Sequence, residues 1–354
     1  MTHSLTIEPI GETVAVEDDQ TILDACLRAG VWLPHACGHG LCGTCKVEVV
    51  DGEVDHADAS GFALMDFERA DGKTLACTAR LLSDATIEAD LDEDPDARRL
   101  AVKDFPCSVI GLEDLTHDIK GVHLRPETGG MDFQAGQYVN LTLPGITGSR
   151  AFSLANPPAE ADHLVLHVRR VPGGIATGHI HDTLKLGDRV TVTGPYGRFF
   201  VRKSASLPMI FLAGGTGLSS PKSMILDLLA EGCAEPMTLI HGVRARRDLY
   251  DQACFEDLAA RHPNLRYVPV LSEPRPGDEW RGETGFVHEA LQRVFPGGFA
   301  GHKAYLCGPP PMIEACLRTL MQGRLFERDI YTEKFLTAAD AGGGKVRSPV
   351  FRRL

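Results

Sequence analysis

Lysine and arginine are scarce at the start of this chain. Residues 1–95 hold five of them against 20 aspartates and glutamates, a balance of −15, whereas the remainder holds 31 against 28, or +3. Nucleic acid needs the opposite sign to meet its phosphates, so no nucleic-acid partner is expected. The acidity either keeps this segment in solution or forms a docking face toward basic partners. Long apolar runs are missing too. The most apolar, around Met209-Ile210-Phe211-Leu212-Ala213, is far too short to span a bilayer, and no membrane association is expected. Met1-Thr2-His3-Ser4 opens no basic region followed by an apolar stretch, so no signal peptide is expected. Ten cysteines without such a signal point to a reducing compartment, the cytoplasm. What is left, 354 residues with 43% hydrophobic and 24% charged, is the composition of a globular protein of two or three domains.

Four of the cysteines are placed to act together. Cys37, Cys42 and Cys45 follow C-x4-C-x2-C within Cys37-Gly38-His39-Gly40-Leu41-Cys42-Gly43-Thr44-Cys45, and Cys77 stands far downstream. This 3+1 spacing is that of a plant-type [2Fe–2S] centre, in which four thiolates hold two irons. Gly38, Gly40 and Gly43 lack a Cβ, so the loop can fold tightly and turn its amides inward. Zinc sites usually use two matched pairs and fit this arrangement poorly. The other cysteines show no disulfide framework.

Around this loop the pattern reads as strands and one helix. Leu5 and Ile7, then Val14 and Val16, alternate with polar residues and predict a hairpin. Thr21-Ile22-Leu23-Asp24 opens a short helix that stops at Gly30, with Cys26 as a small core residue. Val47 and Val49 predict a strand and Thr86-Ile87-Glu88 a late one, together a β-grasp ferredoxin fold. Asp92-Glu93-Asp94-Pro95-Asp96 closes this unit as a charged linker.

From Phe105 the chain changes to short alternating strands over Cys107–Leu112, Gly121–Leu124, Tyr138–Leu143, Leu164–Val168 and Val190–Thr193, an antiparallel β-barrel. Arg150-Ala151-Phe152-Ser153 lies inside it. Pro172-Gly173-Gly174-Ile175-Ala176-Thr177 then opens a helix expected to run through His181 and Leu184. A glycine loop at a helix start offers amides to an anion, and an arginine can grip the same phosphates as a fork. Either alone is common; together they suggest a diphosphate. At Pro208 strands begin to alternate with helices, predicting a doubly wound parallel sheet. Its first turn, Gly214-Gly215-Thr216-Gly217-Leu218-Ser219-Ser220-Pro221, sits where nucleotides bind. Cys307-Gly308-Pro309 ends a later strand and should face the same crevice. After the second strand, Asp248 suits a free ribose hydroxyl, whereas Arg244, Arg246 and Arg247 suit a phosphate.

The assembled order is similar to the ferredoxin–NADP reductase superfamily with an N-terminal plant-type ferredoxin. Arg150–Ser153 resembles its R-x-Y-S motif with Phe152 in place of tyrosine, Gly194–Phe199 its G-P-x-G-x-F, and Glu333-Lys334-Phe335 its C-terminal acidic-x-aromatic element. Trp32–Gly40, Ala135–Asn140, Ala213–Pro221, Tyr305–Met312 and Gly323–Ile330 resemble more specifically the reductase components of bacterial phenol hydroxylases. The resemblance implies domains at 1–95 (ferredoxin), 103–203 (FAD-binding barrel) and 204–338 (NAD-binding), with a tail at 339–354. It implies metal ligands Cys37, Cys42, Cys45 and Cys77. Arg150, Phe152, Ser153, Val168, Gly174, Ile175, Ala176, Thr177 and Phe335 would meet FAD. Gly214, Gly215, Thr216, Gly217, Cys307, Gly308, Pro309 and Asp248 would meet NADH, with Ser153, Cys307 and Glu333 at the reacting atoms. The implied activity passes electrons from NADH through FAD and [2Fe–2S] to a di-iron oxygenase component, with a small coupling protein as a further partner. A reductase for a Rieske ring-hydroxylating dioxygenase has the same modules, and a non-enzymatic redox sensor would share the cofactors without needing the nicotinamide crevice.

Overall fold

The computed structural model describes residues 2–91 and 94–335. The chain forms two compact units that divide between Lys103 and Asp104.

In the first, β1 (Thr2–Glu8) and β2 (Glu12–Glu17) make the expected hairpin, with Leu5, Ile7, Val14 and Val16 all buried. α1 (Ile22–Arg28) begins where the Thr21 hydroxyl accepts the Asp24 N–H, and Cys26 goes fully into the core. Burial pushes its thiol up to about 12, so Cys26 is an inert filler. β3 (Lys46–Asp51), β4 (Val54–Asp55), α2 (Asp66–Ala70), β5 (Lys73–Leu75), β6 (Arg80–Leu81) and β7 (Ala85–Glu88) follow. The main sheet runs β2-β1-β7-β3-β5, with β1 and β7 parallel and the other neighbours antiparallel, which is the β-grasp arrangement. Two of the first amides of α1, those of Ile22 and Leu23, donate to the carbonyls of Ala79 and Ala76. Helix-start donors without intrahelical partners thereby fix the turn that carries Cys77. Of the expected linker, Asp92 and Glu93 lie outside the described residues. Further on, Val102 N–H donates to Leu27 and Arg99 grips Glu12 with both guanidinium arms, so this stretch is tied to the first unit.

The second unit begins with a barrel: β8 (Lys103–Asp114), β9 (Ile119–Pro126), β10 (Tyr138–Thr142), β11 (Ser149–Ser153), β12 (Leu164–Arg169), α3 (Ile175–Asp182) and β13 (Arg189–Tyr196). Its order is β11-β10-β13-β8-β9-β12, and a Leu154–Leu166 bridge nearly closes it. Two details differ from expectation. Arg150–Ser153 is itself an edge strand, and α3 ends at Asp182 instead of reaching Leu184. There the Thr183 and Leu184 amides both fall back on the His179 carbonyl, and the Leu184 side chain turns into the barrel core.

The nucleotide part alternates β14 (Met209–Gly214), α4 (Ser219–Ala230), β15 (Met237–Val243), α5 (Gln252–Arg261), β16 (Leu265–Leu271), β17 (Glu283–Thr284), α6 (Val287–Val294), β18 (Lys303–Gly308), α7 (Pro310–Gln322) and β19 (Ile330–Lys334). All neighbours in β17-β16-β15-β14-β18-β19 are parallel. The order reverses between β14 and β18, so the crevice beyond their carboxyl ends is the switch point where ligands bind such sheets. The short β17 and the polar β19 escaped the sequence reading. No helix among the described residues is long and apolar enough to cross a membrane. The tail at 339–354 lies outside the described residues.

Candidate functional site

The cluster loop meets the demands of its chemistry in detail. Gly38, Gly40 and Gly43 have φ of +69°, +70° and +73°, the left-handed region that favours glycine. A Cβ on Gly40 would come within 2.9 Å of Thr78 Cγ2 and 3.3 Å of Ala59 Cα. The freed amides turn to sulfur: His39 N–H points at Cys37 Sγ (3.4 Å) and Gly40 N–H at Cys77 Sγ (3.3 Å). None of Cys37, Cys42, Cys45 and Cys77 is in a disulfide, and Cys42 lies against Cys37 with Cys77 within reach of both Cys37 and Cys45. Four contiguous thiols with amides aimed at them fit a [2Fe–2S] centre, whose charge such donors stabilise.

On the barrel, pairing of β10 with β11 sets Ser153 opposite Tyr138, and Tyr138 opposite Tyr196 on β13. The two tyrosine rings stack 5.5 Å apart. Phe152 is half-buried against the barrel core, while Arg150 is exposed with its guanidinium donating to the Ser149 carbonyl (2.8 Å). Gly174 has no room for a side chain, because a Cβ would lie 2.6 Å from Thr177 Oγ1 and 3.0 Å from the Val171 carbonyl. The Thr177 hydroxyl accepts the Val171 N–H (3.1 Å), closing this loop on itself at the start of α3. Val168 and Ala176 are buried and Ile175 is 72% exposed. Of the FAD candidates, the exposed Arg150 guanidinium and the amides opening α3 could hold a diphosphate. The side chains of Val168 and Ala176 are core.

In the nucleotide part, Gly214 to Gly217 form a tight turn leading into α4. Gly217 is there for packing: a Cβ would sit 2.2 Å from the Cys307 carbonyl. Gly215 has φ +54°, and its carbonyl accepts from His241 Nε2 (3.3 Å) and the Tyr250 hydroxyl (3.4 Å). Burial lowers the His241 pKa to about 4, so this brace is uncharged near neutrality. Asp248 accepts the Ala245 N–H (2.9 Å) and lies 3.6 Å from His117, while Arg246 donates to the Asp278 carbonyl (2.7 Å). Arg244 is exposed.

Where barrel and parallel sheet meet, three donors converge on one oxygen. Glu333 Oε2 accepts from Ser153 Oγ (2.9 Å) and Ser220 Oγ (2.7 Å), and Cys307 Sγ lies 3.4 Å away. The backbone explains how. Parallel pairing of β18 with β19 sets Cys307 beside Glu333, β11 ends at Ser153, and Ser220 is in the first turn of α4. Burial raises the Glu333 carboxyl above its usual range, with the three donors pulling it back. Burial, then the Glu333 charge, pushes the Cys307 thiol well up, so it remains a neutral S–H. Ser153, Cys307 and Glu333 are thus brought together as expected. Ser220 was missed as a participant, although a serine at the last position of the glycine loop was a signal. His241 and Tyr250 were missed as well, and a lone histidine in the apolar strand Met237–Val243 was the only hint.

Comparison with known proteins agrees with these three regions. Residues 5–82 match the family described as 2Fe-2S iron-sulfur cluster binding domain. Residues 106–201 match an oxidoreductase FAD-binding domain and 211–318 an oxidoreductase NAD-binding domain. The chain is 59% identical over 354 residues, 100% of both proteins, to the reductase component of phenol 2-monooxygenase from Pseudomonas sp. strain CF600. It is 54% identical, again over 100% of both, to the phenol hydroxylase P5 protein of Acinetobacter pittii strain PHEA-2. Among solved structures it resembles an Amycolatopsis cytochrome P450 reductase with TM-score 0.85 and 40% identity, over 94% of this chain and 99% of that one. The chain belongs to the reductase components of phenol monooxygenases, NADH-oxidising members of the ferredoxin–NADP reductase superfamily that use FAD and a [2Fe–2S] cluster to supply an oxygenase component.

Proposed function

We propose that the oxygenase component served by this chain is a di-iron enzyme hydroxylating phenol-type aromatics in the cytoplasm, assisted by a small coupling protein. The full-length similarity to two phenol hydroxylase reductases supports this reading, and the ten free cysteines suit a reducing compartment. FAD accepts a hydride and releases electrons singly, which is what a [2Fe–2S] centre requires. The observation that carries the residue assignment is the convergence of Ser153, Ser220 and Cys307 on Glu333. In this assignment Glu333 orients the Ser153 hydroxyl and holds the proton-bearing side of the site in register. Cys307, a buried neutral thiol, shapes the nicotinamide face without carrying charge. His241 and Tyr250 brace the Gly215 turn that receives the nucleotide. Arg150 and the amides at Gly174–Thr177 hold the FAD diphosphate, and Cys37, Cys42, Cys45 and Cys77 hold the irons. Domain limits of 1–95, 103–203 and 204–338 belong to the same reading. Turnover assays with purified di-iron and Rieske oxygenases as alternative acceptors test it: only the di-iron enzyme should be reduced.

Nucleotide choice follows from the turn after β15. Arg246 is engaged with the Asp278 carbonyl and Asp248 supplies the carboxylate, so a 2′-phosphate gains little there. NADH should be preferred by at least about tenfold in kcat/KM, or roughly 1.4 kcal/mol at the transition state. Equal initial-rate efficiencies with NADPH would show that Arg244 or Arg247 reaches the phosphate.

The −15 balance of residues 1–95 should also speed encounter with the oxygenase. Reduction of the oxygenase at limiting concentration should slow steeply as salt rises toward about 0.5 M, where screening leaves only a few Å of reach. A salt-independent rate would assign the acidity to solubility.

A further inference from the structure

One aromatic of the first unit is out of place. Phe62 is 94% exposed, although fully burying such a side chain is ordinarily favourable. It is not a stray side chain on a loose loop. The Ser60 hydroxyl accepts the Phe62 N–H (3.3 Å), the amides of Ala63 and Leu64 both donate to the Ser60 carbonyl (2.9 Å each), and the flanking Ala63 and Leu64 are buried. The backbone is thus pinned on both sides while the ring is held outward.

The same segment is seated on the cluster loop. Ser60 N–H donates to the Gly40 carbonyl (3.1 Å), and a Cβ on Gly43 would approach the Ala63 carbonyl to 3.2 Å. Leu41, between Gly40 and Cys42, is itself 57% exposed, and Met65 and Phe67 are exposed beyond Ala63 and Leu64. Asp58 and Asp66 are exposed on either side of Phe62 in the chain. Aromatic and methionine side chains with acidic neighbours, beside the loop that carries the cluster ligands, have the composition of an interface centre with a charged rim.

We propose that Phe62, with Leu41 and Met65, is the apolar centre of the surface by which this chain docks on the oxygenase component. This inference rests on the reading that the chain reduces an oxygenase. The occupant it implies is a face of that oxygenase with an apolar pocket ringed by lysine and arginine. Charge complementarity argues for it, because the segment that would dock carries 20 acidic and five basic residues. An anchor on the segment seated against Gly40 and Gly43, with Leu41 preceding Cys42 in the chain, would bring the electron donor close to its acceptor at the moment of contact. Acidic steering sets the encounter rate, whereas Phe62 sets how long the complex lasts.

The test uses full-length holoprotein carrying Phe62→Ala, with Phe62→Leu as the conservative control. Two quantities are read: the rate of cluster bleaching after anaerobic mixing with NADH, and NADH-driven product formation against oxygenase concentration. The expected result is an unchanged bleaching rate, a KM for the oxygenase raised about tenfold or more by Phe62→Ala, and partial recovery with Phe62→Leu. A KM equal to that of the unsubstituted protein would overturn the proposal. So would slower bleaching in the variant, which would assign Phe62 to the step that fills the cluster. If the unsubstituted protein itself fails to drive the oxygenase, the underlying functional reading fails instead.

Discussion

Replacing Cys42 with Ala should reduce electron delivery to the oxygenase by at least about a thousandfold while leaving NADH oxidation by ferricyanide within about twofold. Cys42 lies against Cys37 among the four cysteines assigned to the cluster, and on that assignment its loss removes one of the two thiolates due to one iron. The reductase activity of the second unit does not need that group, because the convergent site at Glu333 is built from residues beyond Asp104. A thousandfold loss corresponds to about 4 kcal/mol at the transition state, beyond what a lost packing contact at a half-buried thiol would give. Visible absorbance separates the explanations. Normal cluster absorbance in the variant would show that Cys42 is not a ligand, and loss of both activities would show that the substitution unfolded the chain.

Glu333→Gln carries the second large effect. The amide keeps the shape of the side chain but offers a weaker acceptor to Ser153 and Ser220, and its NH2 could turn toward them as a competing donor. The Ser153 hydroxyl then loses its fixed direction. A misplacement of about 1 Å at a reacting centre can cost on the order of a hundredfold, and kcat for NADH-driven ferricyanide reduction should fall by about that factor with a smaller change in KM. Stability should move the other way. Burial raises the folded-state pKa of Glu333 above the ordinary 4.5, so the wild-type fold loses stability as pH rises through that higher value. Glutamine cannot ionise and escapes this loss. The Tm of the variant should therefore gain on that of the wild type as pH rises above the ordinary 4.5 toward the raised value. An unchanged kcat would remove Glu333 from the catalytic assignment, and a Tm difference independent of pH would show that its carboxyl does not titrate in that window.

Much of this architecture was legible because it is written locally. The 3+1 cysteine spacing, the alternation at Leu5 to Val16 and the Thr21 cap each depend on a few adjacent residues, and the structure returns them nearly unchanged. What was not legible depends on distant pairing. β19 is polar and half-buried throughout most of its length, so nothing in its own pattern marks a strand; only the β18 register makes it one. Ser220 has no role that its place in the glycine turn foretells; α4 brings it to Glu333, 113 residues away. Gly217 looked like a phosphate contact, whereas the nearness of the Cys307 carbonyl gives it a packing reason that no spacing rule contains. The end of α3 at Asp182 turned on where the Leu184 side chain found apolar company. Nothing in the sequence singles out Phe62, because exposure is a property of the fold and not of the sequence.

The most direct measurement of the electron path is rapid anaerobic mixing of the holoprotein with NADH, followed in the flavin and cluster absorption bands. The account predicts that the flavin band bleaches first and the cluster band follows. Bleaching of the cluster band by NADH in protein stripped of FAD would contradict it.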